Sequence, residues 1–211
     1  GEYTALVFAG VLDFPSAVYL ARERGRLMHE AGQAVPGSMA AILGMDELAV
    51  TALCQETGTW IANINCPGQI VISGPRENIE KAVYLAPGRG AARALLLQVS
   101  GAFHSPLMKP AAEGLSDVIS RLNFQDPLIP IIANTSALPL TRAGDIREEL
   151  VNQLCHSVQW QRSVEYLIDQ GAGTFIEIGA GKVLSGLIKR ISKNAVTLNI
   201  GEAGELGNLK S

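Results

Sequence analysis

The spacing of apolar residues along the chain changes several times, and each change predicts a change of element. The opening nine residues, Gly1-Glu2-Tyr3-Thr4-Ala5-Leu6-Val7-Phe8-Ala9, read as helix interior with neither a methionine nor a polar leader ahead of them. The expectation is a helix whose beginning lies upstream of Gly1. Asp13 is a candidate N-cap, and Pro15 falls in the first turn of a helix running to about Ala31. Ala17, Leu20, Ala21, Leu27, Met28 and Ala31 form its apolar stripe at helical spacing. From residue 38 the pattern shortens. Residues 38–44 read as a strand and 46–56 as a helix capped by Asp46. Residues 60–65 and 70–73 read as strands around the turn Cys66-Pro67-Gly68-Gln69, residues 75–85 as a helix, and residues 92–99 as a buried strand. The order βαββαβ predicts a ferredoxin-like subdomain over residues 37–99.

Beyond it the units lengthen again. Ser105 and Pro106 open a helix over 106–122, a buried apolar strand is expected at 129–133, and helices follow at 145–155 and 158–170, with Trp160 in the core. A strand at 174–178, a helix at 183–191 and a short strand at 196–200 precede a Gly-rich end expected to fray. Helices alternating with apolar strands around one insertion predict an α/β domain over 1–36 and 100–211 carrying the small subdomain 37–99.

Composition narrows the function classes. With 211 residues, 47% of them hydrophobic, the chain can bury a substantial core. A formal net charge of −3 gives no general attraction to nucleic acid or to an anionic membrane, and no apolar run is long enough to cross a bilayer. Cys54, Cys66 and Cys155 are odd in number and widely spaced, which disfavours disulfides and zinc and fits a reducing cytoplasm. Gly179-Ala180-Gly181-Lys182 resembles a phosphate loop only superficially. Val183 stands where Ser or Thr is needed and Ile176 where the first Gly is needed.

Two residues demand chemistry. His104 sits in Ser100-Gly101-Ala102-Phe103-His104-Ser105-Pro106, a strand-to-helix crossing, where it either holds a turn or moves a proton near neutral pH. Arg24 lies within an apolar helix stripe, where an unpaired charge is costly. It needs either an internal carboxylate or the carboxylate of a ligand, which the planar guanidinium can bind through two hydrogen bonds. Asn63, Asn65 and Gln69 gather at one hairpin and either satisfy its turn or line a cleft. Arg89 and Arg93 flank a Gly/Ala-rich loop that is either solvated or a local docking point for an acidic carrier.

Taken together these residues resemble the malonyl-CoA:acyl-carrier-protein transacylases. Gly1-Glu2-Tyr3-Thr4-Ala5-Leu6 is similar to the stretch directly after that family's active serine, whose elbow reads Gly-His-Ser-x-Gly-Glu-Tyr. Arg24-Gly25-Arg26-Leu27-Met28 resembles its malonate-binding helix, and the run from Asn63 to Gly74 its small-subdomain hairpin. Gly101-Ala102-Phe103-His104-Ser105-Pro106-Leu107-Met108 resembles its histidine motif. Gln153-Leu154, Val158-Gln159-Trp160 and Glu177-Ile178-Gly179-Ala180-Gly181-Lys182 match its C-terminal third.

The resemblance implies a hydrolase-like α/β domain with the ferredoxin-like insertion. It also implies malonyl transfer from malonyl-CoA to acyl carrier protein through a serine ester. His104 would be the general base and acid, oriented by a main-chain carbonyl near Gln153. Arg24 would hold the malonyl carboxylate, and Phe103 would exclude branched acyl groups. Met28, Asn65 and Gln69 would line the cleft. No metal or redox cofactor is implied, since the substrates carry CoA and phosphopantetheine. The serine and the oxyanion loop would lie in a segment before Gly1, which acts as this chain's partner. Three rivals stand beside this reading: the acyltransferase domain of a polyketide synthase, a non-catalytic fragment that binds thioesters or a carrier protein, and a ferredoxin-like interaction module, which would explain the middle of the chain but not Arg24 or His104.

Overall fold

The computed structural model describes residues 1–205, and the last part of the Gly-rich end, 206–211, lies outside the described residues. A short helix, α1 (Glu2–Phe8), and a long one, α2 (Phe14–Ala34), open the chain. The Asp13 carboxylate accepts the Ser16 backbone N–H at 2.7 Å, fixing where α2 begins. Within the expected stripe Ala17, Leu20, Met28 and Ala31 are buried, whereas Ala21 is exposed.

The next elements run β1 (Gly37–Leu43), α3 (Glu47–Thr57), β2 (Trp60–Cys66), β3 (Gln69–Pro75), α4 (Arg76–Leu85) and β4 (Arg93–Leu96). Asp46 caps α3 by accepting the Ala49 N–H at 2.8 Å. The strands form one four-stranded sheet in the order β2-β3-β1-β4, with every neighbouring pair antiparallel. Alternation decides its faces: Ala40 and Ile42 of β1 and Ile70 and Ile72 of β3 pack with Val50, Leu53, Ile79 and Ala82 of the two helices. Met39, Ala41, Ala62 and Val71 point the other way, against Leu97, Val99 and Phe103. One expectation needs correction. The buried strand predicted for 92–99 is a four-residue edge strand with Leu95 and Leu96 about half exposed, because it pairs on one side only and stands at the margin of both faces.

The remainder comprises α5 (Lys109–Ser120), β5 (Ile131–Ile132), β6 (Pro139–Leu140), α6 (Ala143–Asn152), α7 (Trp160–Asp169), β7 (Thr174–Ile178), α8 (Val183–Ile191) and β8 (Val196–Ile200). The helix expected from 106 begins as a short 3-10 turn, Pro106–Met108, before α5. The buried strand expected at 129–133 is reduced to two residues pairing antiparallel with β6, and Ile129 is about half exposed. Pro127 and Pro130 have no N–H to give a ladder, which leaves little strand to form. β7 and β8 pair in parallel, and Trp160 packs half-buried against Val164, Ile188 and Ala195. Leu6, Leu20, Met28, Met108, Leu115, Ile146 and Leu150 of α1, α2, α5, α6 and the turn before α5 share one core. No described helix is long and apolar enough to cross a membrane.

Just beyond the Gly179–Lys182 turn, the first helical amides of α8 are taken up by a side chain. The Glu177 carboxylate accepts the backbone N–H groups of Leu184 and Ser185 at 3.1 and 2.8 Å. Glu177 thus caps the start of α8 with its own negative charge, which disfavours an anion there.

Candidate active site

The loop carrying His104 is held down from three sides. Ser105 is fully buried; its hydroxyl donates to the Ala102 carbonyl at 2.6 Å and accepts the Leu107 N–H at 3.3 Å, capping the turn that leads into α5. Gly32 at the end of α2 and Gly37 at the start of β1 let the loop come close. A Cβ on Gly32 would stand 2.7 Å from the Ser100 carbonyl oxygen, and one on Gly37 would stand 2.5 Å from the Ala102 Cβ. His104 itself adopts φ +56°, a left-handed conformation that costs a non-glycine residue about 1 kcal/mol or more and persists only where the surroundings enforce it.

The imidazole is oriented by a helix end. His104 Nδ1 lies 2.7 Å from the main-chain oxygen of Gln153, the C-cap residue of α6. A carbonyl oxygen only accepts, so Nδ1 carries the hydrogen and Nε2 is the ring's free acceptor. Burial holds the His104 pKa below its ordinary 6.5, opposed by the Gln153 carbonyl and the His156 backbone and reinforced by Arg24. The neutral, basic form therefore dominates at neutral pH. When the ring takes a proton, the partial negative charge at the α6 C-terminus favours the cation.

His104, Gln153 and Arg24 line a single cavity of about 570 Å³. Glu2, Tyr3 and Phe8 of α1 form one wall, and Asn134, Val158, Trp160 and Leu184 contribute to the others. Arg24 is half-buried, its guanidinium carbon 5.7 Å from the centre of the Tyr3 ring. Among the described residues it makes no ion pair within 4 Å. Its Nε, the Tyr3 hydroxyl and the Trp160 Nε1 are buried with no hydrogen-bond partner. Three polar groups left unsatisfied around one cavity mark where a polar ligand would be stabilised most.

The other sequence-derived candidates lie elsewhere. Met28 belongs to the α1–α2–α5–α6 core and Phe103 is half-buried between that core and the lower face of the sheet, neither of them lining the cavity. Asn65 and Gln69 are also absent from its walls; Gln69 accepts from Arg190 at 2.7 Å. Arg89 pairs with Glu56 at 2.8 Å on the surface. Sequence reasoning passed over Glu2, Tyr3, Asn134 and Trp160 as lining residues. Glu2 carried a usable signal, as the one charged residue in an otherwise uncharged opening helix. No group of three or more His, Cys, Asp or Glu among the described residues stands together in a metal-binding arrangement.

A histidine oriented by a carbonyl and a half-buried arginine on one cavity are the parts of a group-transfer site, and the chain belongs to a family defined by that chemistry: the acyl transferase domain family matches residues 1–210. It is 50% identical over 207 residues to the malonyl CoA-acyl carrier protein transacylase of Bacillus subtilis, an alignment covering 96% of this chain and 65% of that protein. An acyl carrier protein S-malonyltransferase from Vibrio cholerae superimposes with a TM-score of 0.95 at 40% identity, covering 99% of this chain and 70% of that one. A malonyl-transacylase solved in complex with a type II polyketide-synthase acyl-carrier protein superimposes at 0.93 and 40% identity, covering 99% and 69%. The chain thus spans about two thirds of the length of the relatives it matches.

Proposed function

We propose that the protein containing this chain transfers a malonyl group from malonyl-CoA to the phosphopantetheine thiol of acyl carrier protein. The observation that carries this reading is the pairing, on one cavity, of a carbonyl-oriented neutral imidazole with an arginine that, among the described residues, makes no ion pair within 4 Å. The names of the relatives supply the acyl group and the acceptor.

In this reading the nucleophile is the serine that the family elbow places before Gly1-Glu2-Tyr3. His104 Nε2 takes the serine hydroxyl proton as the oxygen attacks the thioester carbonyl. The same nitrogen returns the proton to the departing CoA sulfur, leaving a malonyl ester. The pantetheine thiol of the carrier then gives up its proton to Nε2 and attacks that ester, and the serine leaves with the proton. The Gln153 carbonyl does the orienting work of the aspartate in a Ser-His-Asp triad. Arg24 holds the free malonyl carboxylate through charge-assisted hydrogen bonds. Thioester and ester exchange of this kind draws on no metal or redox cofactor. We read residues 37–99 as an inserted ferredoxin-like subdomain, supported by the β2-β3-β1-β4 antiparallel order, and residues 1–36 and 100–211 as the larger acyltransferase domain. The free cysteines fit action in the reducing cytoplasm. A polyketide pathway is a second setting for the same reaction, favoured by the carrier-protein complex of the polyketide-synthase type.

The test is intact-protein mass spectrometry before and after malonyl-CoA, followed by addition of phosphopantetheinylated carrier protein. A single malonyl adduct that then moves to the carrier is expected. Binding of carrier or CoA without any adduct would instead establish a non-catalytic thioester-binding protein.

A further inference from the structure

Gln153 is held from two directions, and only one of them belongs to the reaction as described. Its main-chain carbonyl accepts from His104 Nδ1, while its side-chain Nε2 donates to the Glu2 carboxylate on α1. Gln153 is nearly fully buried, and its backbone N–H is already spent on the Glu149 carbonyl at 2.9 Å. A residue pinned through its amide hydrogen, its side chain and its carbonyl cannot rock about the end of α6. The direction in which its carbonyl aims is thereby set by α1.

We propose that Glu2 is a positioning residue for His104, acting through the Gln153 side chain to aim the main-chain oxygen that fixes the imidazole tautomer. The proposal rests on the acyl-transfer reading for its kinetic consequence, but not for its structural one. Three features support it. Glu2 lies on the wall of the same cavity as His104 and Gln153, so the contact borders the site directly. It joins the first residue of α1 to the last turn of α6, two elements whose side chains share one core. It also survives titration. Burial, reinforced by Glu149 and opposed by Arg24 and the Gln153 hydrogen bond, pushes the Glu2 carboxyl up to about 7. Either protonation state leaves an oxygen able to accept the amide hydrogen.

The test compares Glu2→Ala with Glu2→Gln in the intact protein. Glutamine removes the charge and keeps an acceptor; alanine removes both. The first readout is the 15N NMR signature of the His104 ring, which distinguishes hydrogen on Nδ1 from hydrogen on Nε2. The second is kcat against KM for malonyl-CoA. Glu2→Ala is expected to populate the wrong tautomer and to lower kcat roughly 10- to 100-fold with KM unchanged, the range for loss of alignment at a reacting group. Glu2→Gln is expected to restore both to within about 3-fold, a tolerance that covers modest changes in hydrogen-bond strength. Gln153→Met, which keeps the carbonyl and deletes the amide, should reproduce Glu2→Ala and serves if that variant does not fold. An unchanged His104 ring in Glu2→Ala or Gln153→Met overturns the proposal, as does a glutamine variant as impaired as alanine. Because the ring signature is read without substrate, a failure of malonyl transfer leaves this part of the result intact.

Discussion

The two ends of the cavity are built in opposite ways. At the imidazole end the orienting groups all have partners: His104 Nδ1 on the Gln153 carbonyl, the Gln153 amide on Glu2, and Glu149 on the backbone N–H of Thr135 at 2.8 Å, with Nε2 left free to act as the base. At the guanidinium end, among the described residues, Arg24 Nε, the Tyr3 hydroxyl and Trp160 Nε1 are buried without hydrogen-bond partners, and the Arg24 guanidinium lies over the Tyr3 ring face. The difference teaches which part of the site performs chemistry on its own geometry and which is completed by what it binds. A base must be aimed before substrate arrives, whereas a binding group left unsatisfied gains most when the ligand comes.

The sharpest way to break the comparison is to remove the base without straining the loop. His104→Asn keeps a residue type that tolerates the left-handed backbone, so a loss reports chemistry rather than folding. Acyl transfer is expected to fall roughly 10²- to 10⁴-fold, the usual range for a general acid–base. In the unaltered protein the acid limb of kcat/KM should lie below pH 6.5, because burial lowers the His104 pKa and only the neutral ring is a base. A limb above pH 6.5 would count against His104 as the base.

The next effect concerns the stability cost of the partnered end. Glu2 is displaced from 4.5 to about 7 on folding, so the folded state holds its proton more tightly than the unfolded chain. Below pH 4.5 both states are protonated and there is no penalty. As pH rises towards 7 the penalty grows, and above 7 it is constant at about 3 kcal/mol. Glu2→Gln should therefore raise unfolding stability in urea by an amount of that order at pH 8, with the gain vanishing below pH 4.5. A gain independent of pH would mean that the charge is not what costs stability.

The smallest expected change distinguishes substrates. Arg24→Ala should reduce kcat/KM for malonyl-CoA roughly 10- to 100-fold, as expected for losing charge-assisted hydrogen bonds, and leave acetyl transfer nearly unchanged. Equal losses for the two acyl groups would remove the contrast between the ends altogether.

Much of this was legible in the chain and some was not, for physical reasons that differ residue by residue. Asp13 and Asp46 announce their helices because an N-cap is a local interaction, complete within three residues. The βαββαβ order follows from alternation, and the antiparallel order agrees with it. The leucines of β4 misled because a run of apolar residues says nothing about whether a strand lies inside a sheet or at its margin. At the site, Arg24 and His104 stand out by residue type against their surroundings. Gln153 and Glu2 do not, since their meeting spans the whole chain and depends on a main-chain atom common to every residue. Resemblance to a family named the carbonyl near Gln153; only coordinates could supply what holds it.

One small feature has a wider effect on how the molecule meets its own kind. The outer side of β2 is covered at Val158, whose carbonyl accepts the Ile64 N–H at 2.9 Å and whose N–H donates to the Ala62 carbonyl at 2.8 Å. A single residue thus occupies the middle of a sheet margin that could template another strand, and the Arg162–Glu47 pair at 2.8 Å fastens the following helix beside it. Intermolecular growth of this sheet is left with the opposite margin, where β4 is four residues long and begins with an exposed arginine. Short length and charge both discourage strand addition there, so the fold guards one border by occupation and the other by brevity.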